Sequence, residues 1–141
     1  MFAVRILGTG SVLPGIPRST AELVAEAAPG RDVDAIVART GIAQRYYARP
    51  EDTTTSVAAE TIRHALEAAG IRAEDLRRLI LATSYSGDFL CPATANAIAD
   101  ELGLRNSCDC FDVNNACMSF FTAFDLGVRS VATGVSPVAI V

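Results

Sequence analysis

The 141 residues, 50% hydrophobic and 20% charged, have the composition of one globular domain and exclude a disordered chain. A net charge of −4, with twelve scattered Lys and Arg, leaves no basic stripe for nucleic acid or for an anionic membrane surface. The N-terminus lacks the basic-then-apolar layout of a signal peptide, and uncharged runs such as 113–124 are too short to span a bilayer. A cytoplasmic location is the default expectation.

In chain order, strand and helix patterns alternate, which predicts an α/β sheet with crossover connections. A buried strand is expected over 2–7, stopped by Gly8-Thr9-Gly10, and then a Pro/Gly-bearing loop over 11–18. Ser19 or Thr20 can cap a short helix that runs through Ala27. Residues 32–38 predict another, broken at Thr40-Gly41, before an extended stretch over 42–48. The polar run 52–56 supplies N-cap candidates for a helix with apolar residues at spacings of three and four, which Gly70 can close.

Residues 79–83 read as a buried strand. Pro92 sits near the first turn of a helix whose apolar side holds Ala97, Ile98 and Leu102, with Gly103 at its end. A short strand is expected over 108–113, a turn at Asn114-Asn115-Ala116, a long helix from about Cys117 to Ala132, and a last strand from Pro137. That long helix carries only Asp125 and Arg129 as charged residues and bears Phe120, Phe121 and Phe124. A helix apolar nearly all round must be covered nearly all round. Together with the core-like ending Val138-Ala139-Ile140-Val141, this predicts that the 141 residues are one half of a larger molecule.

Four cysteines do not make a secreted disulfide framework, and Cys108-Asp109-Cys110 lacks the spacing of a zinc knuckle. Free, mostly buried thiols are the ordinary reading for three of the four. Cys117 differs, because it follows a strand and a two-asparagine turn and opens a helix. Backbone N–H groups there can stabilise a thiolate and hold a developing oxyanion, although a small apolar side chain packed at a helix start fits the local sequence too.

Gly8-Thr9-Gly10 invites a dinucleotide-binding reading, but Leu13 stands where the third glycine belongs, and a tight turn is the better expectation. His64, on the polar side of its helix, reads as a surface residue. There is no second histidine to act as a base for Cys117. Arg39, Arg45 and Arg49 could pair with phosphates or could simply be solvated.

These residues fall into a known order. Ile6 to Pro14 (ILGTGSVLP), Arg39-Thr40-Gly41-Ile42 with Arg45, Leu81-Ala82-Thr83-Ser84, Pro92, Leu102-Gly103 and Phe111 to Cys117 (FDVNNAC) together resemble the opening of β-ketoacyl-ACP synthase III. The resemblance runs the length of the chain and implies a thiolase-like fold, an α/β five-layer sandwich of two βαβαβαββ halves, of which residues 1–141 would be the N-terminal one. It implies Cys117 as the acylated nucleophile. A histidine and an asparagine from the other half would complete the site, and no resident cofactor is implied, since acyl-CoA or acyl carrier protein serves as the thioester substrate. It implies a homodimer that works with acyl carrier protein.

Two departures stand out. Where the fatty-acid starter enzymes carry a tryptophan that stacks on the adenine of coenzyme A, this chain has Ala35, four residues before Arg39, the position of a coenzyme A-holding arginine. The segment before Pro92 is a residue longer, so Leu90 or Cys91 would take the place that reaches across the dimer into the partner's acyl pocket. The implied reaction is decarboxylative condensation with a malonyl thioester in fatty-acid or polyketide-type biosynthesis. Ester or amide formation and a non-catalytic partner subunit are the rival readings.

Overall fold

The computed structural model describes residues 3–85, 87–104 and 107–141, which gather into two compact units. The smaller spans Leu13–Asp52. In it, β1 (Ile16–Ser19) pairs antiparallel with β2 (Gln44–Tyr47), Ile16 opposite Tyr47 and Ser19 opposite Gln44. Between them lie α1 (Thr20–Ala27) and α2 (Val33–Thr40). Local chemistry sets these boundaries. Ser19 and Glu22 form a reciprocal capping box at the start of α1. Asp32 accepts the Ala35 N–H at 3.0 Å to start α2, and Gly41, at φ 71°, ends it in the left-handed region. The expected loop over 11–18 is shortened by β1, because a strand needs a partner and β2 supplies one from 25 residues or more downstream.

The larger unit contains residues 3–12 and 53–141. Its sheet is parallel, with β3 (Arg78–Thr83) between β4 (Asp109–Asn114) and β5 (Val138–Ile140). Helix α4 (Thr94–Glu101) lies on one face of this sheet, and α3 (Thr54–Ala69) packs on α4 and shares the core on that side. Helix α5 (Ser119–Ala132) covers the other. Alternation along β3 divides the core. Leu79 and Leu81 join Ala59, Ile62, Ala95 and Ile98 under α3 and α4, whereas Ile80, fully buried, points the other way. Burying each such Leu or Ile is worth about 1.5–3 kcal/mol.

Two carboxylates reach helix N-termini from far along the chain. Asp112 of β4 accepts the Thr94 and Ala95 N–H groups of α4, each at 2.9 Å. This explains why α4 starts at Thr94, two residues beyond Pro92, without a side-chain cap of its own. Asp88 accepts the N–H groups of Thr54 (3.0 Å) and Thr55 (2.7 Å) and the Thr55 hydroxyl (2.6 Å) at the start of α3.

Burial pushes the Asp88 carboxyl up, but these hydrogen bonds outweigh it and hold the group below its ordinary value of 3.8. A depressed carboxyl contributes stability that is complete above the unfolded value and is lost as pH falls through the folded one. Asp88→Asn is therefore expected to lower stability at neutral pH by about 1 kcal/mol or less, discounted because the carboxylate is exposed. The gap from wild type should close as pH falls below the carboxylate range, as read by paired thermal melts across pH. A gap independent of pH would mean that the charge of Asp88 contributes nothing.

Several expectations are corrected. Residues 3–7 form no strand, and Phe2 lies outside the described residues. Val4, Ile6 and Leu7 are exposed, because an apolar run becomes a strand only where another edge pairs with it. Gly8 and Gly10 do not make a tight turn. They lie against the backbone of α3, where a Cβ on Gly8 would stand 2.5 Å from the Ala65 carbonyl oxygen. Leu102 is the cap residue after α4 and not part of the helix. None of the three cysteines expected to be mostly buried is so: Cys108 and Cys110 are half-buried and Cys91 is exposed.

Helix α5 packs a stripe of small residues, Ser119, Ala123, Gly127 and Ser130, against the sheet. Gly127 permits the closest approach, since a Cβ there would meet the Ile140 side chain at 2.9 Å. Its large side chains face away, with Phe120 55% and Phe121 64% exposed in this chain. No helix among the described residues is long and apolar enough to cross a membrane.

Candidate active site

Parallel α/β sheets present ligand sites beyond the carboxyl ends of their strands. At that edge β4 ends on Asn114, and the chain turns sharply before α5. Ala116 has φ 46°, a left-handed conformation that is costly for a residue with a Cβ. Residues Ala116–Met118 form a single 3₁₀ turn, so the expected helix start at Cys117 moves to Ser119. Tightening of the first turn in this way is ordinary at a helix end. Cys117 sits on the 3₁₀ turn and is exposed. Among the described residues nothing accepts a hydrogen bond from its N–H, which leaves that donor for an incoming oxygen.

The turn is held from both sides. The Ser119 hydroxyl accepts the Asn115 N–H at 2.7 Å and lies 2.7 Å from the Thr83 carbonyl and 2.8 Å from that of Ala116. The Met118 N–H donates to the Asn115 carbonyl at 3.0 Å. The Asn115 amide donates to the Thr122 hydroxyl at 3.0 Å. Ser119 was not singled out in the sequence, and Asp112 entered only as part of the FDVNNAC motif. The only local signal of Ser119 is a polar residue beside the apolar Met118 and Phe120.

Leu90 and Cys91 belong to the connection that follows β3, at the same sheet edge as Cys117. Leu90 is 97% exposed and Cys91 is exposed. The base of this connection is fastened. Asp88 holds the start of α3, the Phe89 N–H donates to the buried Thr94 hydroxyl at 3.4 Å, and a Cβ on Gly87 would collide with that hydroxyl. The exposed residues thus project from an anchored stem.

Arg39 belongs to the smaller unit. With Arg31, Asp32, Ala35 and Ile36 it lines an open groove of about 240 Å³ along α2. Arg31 and Arg39 are exposed there, beside the acidic Asp32 and the small Ala35. Such an arrangement can take a phosphate-bearing ligand. Arg45 is not part of the groove. It is half-buried, and its guanidinium donates to the Thr20 hydroxyl at 3.4 Å, which makes it a structural residue of the smaller unit.

His64 lies on the surface of α3, its Nδ1 3.2 Å from the Ser11 carbonyl and its Nε2 3.3 Å from Glu60. Cys108 lies just before β4 and Cys110 within it, and the Cys110 thiol is 3.5 Å from the Cys108 carbonyl. The hydrogen bond between them holds the Cys108 thiol below its ordinary value; the same bond, with burial, pushes Cys110 up. Among the described residues no three His, Cys, Asp or Glu side chains gather as a metal site.

The chain is similar to the priming β-ketosynthase of the R1128 polyketide biosynthetic pathway, at 29% identity and a TM-score of 0.85 over 96% of this chain and 40% of that one. It is similar to 3-oxoacyl-[acyl-carrier-protein] synthase III from Aquifex aeolicus, at 30% identity and a TM-score of 0.85, over 96% of this chain and 43% of that one. A variant of OleA from Xanthomonas campestris gives 29% identity and a TM-score of 0.80, over 92% of this chain and 39% of that one.

The chain thus spans about two fifths of the length of these relatives. The family model for the thiolase N-terminal domain matches residues 34–141, taking in α3, the whole parallel sheet and the Cys117 turn. The chain belongs to the thiolase N-terminal-domain family and has the thiolase-like fold.

Proposed function

We propose that this chain carries the acyl-accepting cysteine of a type III ketosynthase-like acyltransferase. The observation that carries the reading is Cys117 itself. It is an exposed thiol at the carboxyl edge of the sheet, on a strained turn, with its own N–H unengaged by the described residues.

In the proposed reaction the Cys117 thiolate attacks the carbonyl carbon of an acyl-CoA or acyl-carrier-protein thioester. The Cys117 N–H donates to the oxyanion that forms, and the C–S bond to the donor breaks as its thiolate leaves. One thioester replaces another, so the exchange needs no resident cofactor or metal. A malonyl thioester then loses carbon dioxide, its enolate carbon attacks the acyl group, and the Cys117 thiolate departs. A histidine and an asparagine outside these 141 residues would assist those steps. The similarity to a priming ketosynthase and to a synthase III supports condensation in fatty-acid or polyketide-type biosynthesis. A homodimer, with Leu90 or Cys91 entering the partner's acyl pocket, and acyl carrier protein as a partner belong to the same proposal.

Intact-protein mass spectrometry of the full-length enzyme, offered a panel of acyl-CoA and acyl-carrier-protein donors, should show one acyl adduct on Cys117. An enzyme that stays unmodified by every donor would sink the reading. Arg39 is proposed to hold the coenzyme A phosphates. Arg39→Ala should raise KM for acyl-CoA roughly tenfold, the cost of one charge-assisted contact, while kcat holds. A KM unchanged at both low and high salt would remove Arg39 from that role.

A further inference from the structure

The turn that presents Cys117 needs an external brace. Ala116 occupies the left-handed region, and a non-glycine residue stays there only when its surroundings over-determine it. Asn114 Oδ1 accepts the Ala116 N–H at 3.4 Å, and a second side chain ties the turn to the neighbouring strand. Ser119 is 4% exposed and lies two residues after the cysteine, at the first position of α5. Its hydroxyl accepts from the Asn115 N–H just before the strained residue, and its single proton is shared between the carbonyls of Ala116 and Thr83. Thr83 is the last residue of β3. The hydroxyl therefore ties three points together: the entry to the turn, the strained residue itself and the carboxyl end of the neighbouring strand.

We infer that Ser119 is a positioning residue, which sets the aim of Cys117 by pinning the turn to the end of β3. The inference rests on the reading of Cys117 as the acyl acceptor. Ser119 touches no reacting atom in that reading. Its effect is on where the cysteine sulfur and N–H stand relative to the thioester carbonyl, and displacement of a nucleophile by about 1 Å can cost 10²-fold in rate. Removing the hydroxyl releases the Asn115 N–H, removes the tie between the two strand ends and lets Ala116 relax toward an ordinary backbone conformation. The cysteine would remain present and reactive, but no longer held at one place.

Helix α5 provides a matched control. Ser130 is also 4% exposed, on the same small-residue face, and its hydroxyl donates to the Leu126 carbonyl at 2.7 Å and receives the Arg78 guanidinium at 2.6 Å. It lies about three turns along α5 from Ser119. If buried hydroxyls on α5 serve only stability, Ser119→Ala and Ser130→Ala should behave alike. Positioning predicts a split.

The test is single-turnover acylation of Cys117 in the full-length enzyme, followed by intact mass and normalised to folded protein. Ser119→Ala should acylate 10- to 100-fold more slowly at saturating acyl-CoA with the half-saturating concentration unchanged, and Ser130→Ala should acylate at the wild-type rate. Hydrogen exchange at residues 115–118 should quicken in Ser119→Ala alone. If Ser119→Ala does not fold, the near-isosteric pair Ser119→Thr and Ser119→Val replaces it, the threonine retaining the hydroxyl and the faster rate. Equal rates in wild type and Ser119→Ala, equal slowing in Ser130→Ala, or equal rates in the threonine and valine variants would overturn the inference while leaving the acyl-cysteine reading in place. A wild-type enzyme that never acylates would overturn that reading, and the inference with it.

Discussion

Replacing Cys117 with alanine in the full-length enzyme is expected to abolish the acyl adduct and to lower turnover by roughly 10³-fold or more, the scale on which losing a covalent nucleophile is felt. The effect on folding should be small. Cys117 is exposed, and surface substitutions away from special features usually change stability by within about 0.5 kcal/mol. Activity and stability therefore separate at this position, which is what distinguishes a nucleophile from a packing residue.

Cys91 is the control for that experiment, because it is the other exposed thiol among the described residues. Cys91→Ala should keep the adduct, and any change should appear in acyl-chain preference, since Cys91 is proposed to lie near a partner's pocket. Turnover and adduct are read together, the first by product release and the second by intact mass. Full turnover in Cys117→Ala would return the chain to the rival reading of a non-catalytic partner subunit. An adduct that moves to Cys91 would show that exposure alone, and not the turn, directs acylation.

The second large effect is expected at a position with no chemistry. Gly8→Ala should destabilise the larger unit by about 3 kcal/mol, at the upper end of the usual range for overpacking. The new methyl would meet the Ala65 carbonyl oxygen at 2.5 Å and the Ala69 backbone nitrogen at 2.6 Å, and both belong to the backbone of the last turn of α3. A flexible side chain could swing aside, but helix backbone cannot without losing its ladder. The substitution should therefore lift residues 3–12 away from α3 or distort the helix. A matched substitution at Gly30, where an added Cβ meets nothing within 4 Å, isolates the backbone term, since that residue sits at φ 88°. It should cost only about 1 kcal/mol. Thermal melts of the two variants read the difference, and equal shifts would mean that Gly8 does not pack as closely as the geometry says.

Much of the fold was legible where the determining groups are close in sequence. Ser19, Asp32 and Thr53 start helices by bonding N–H groups three residues on, and Gly41 and Gly70 end them with a backbone conformation that glycine adopts at little cost. The apolar run Leu79–Leu81 could only be a core strand, and its buried residues divide between two faces as period two requires. Cys117 was legible as a strand–turn–helix position, and the ordered resemblance added what local reasoning lacked.

Where the sequence was misread, the determining partner lies far away. Val4, Ile6 and Leu7 have strand composition, yet whether they pair depends on an edge that no local pattern encodes. Asp88 and Asp112 look like ordinary loop and strand carboxylates until the fold brings them, across 34 and 18 residues, to the N-termini of α3 and α4.

By itself the sequence determined most of the alternation of strands and helices and the ends of α1, α2 and α3, because these follow from side-chain type and short-range hydrogen bonding; the candidate nucleophile came from the ordered resemblance. Tertiary structure decided how that nucleophile is held. The strained Ala116, the free N–H of Cys117 among the described residues and the brace from Ser119 to Thr83 exist only once β3 and β4 lie side by side, since the hydroxyl reaches a carbonyl 36 residues earlier in the chain. It also decided why Gly8 and Gly10 are glycines, a matter of close approach to α3 that no turn or nucleotide motif would have indicated.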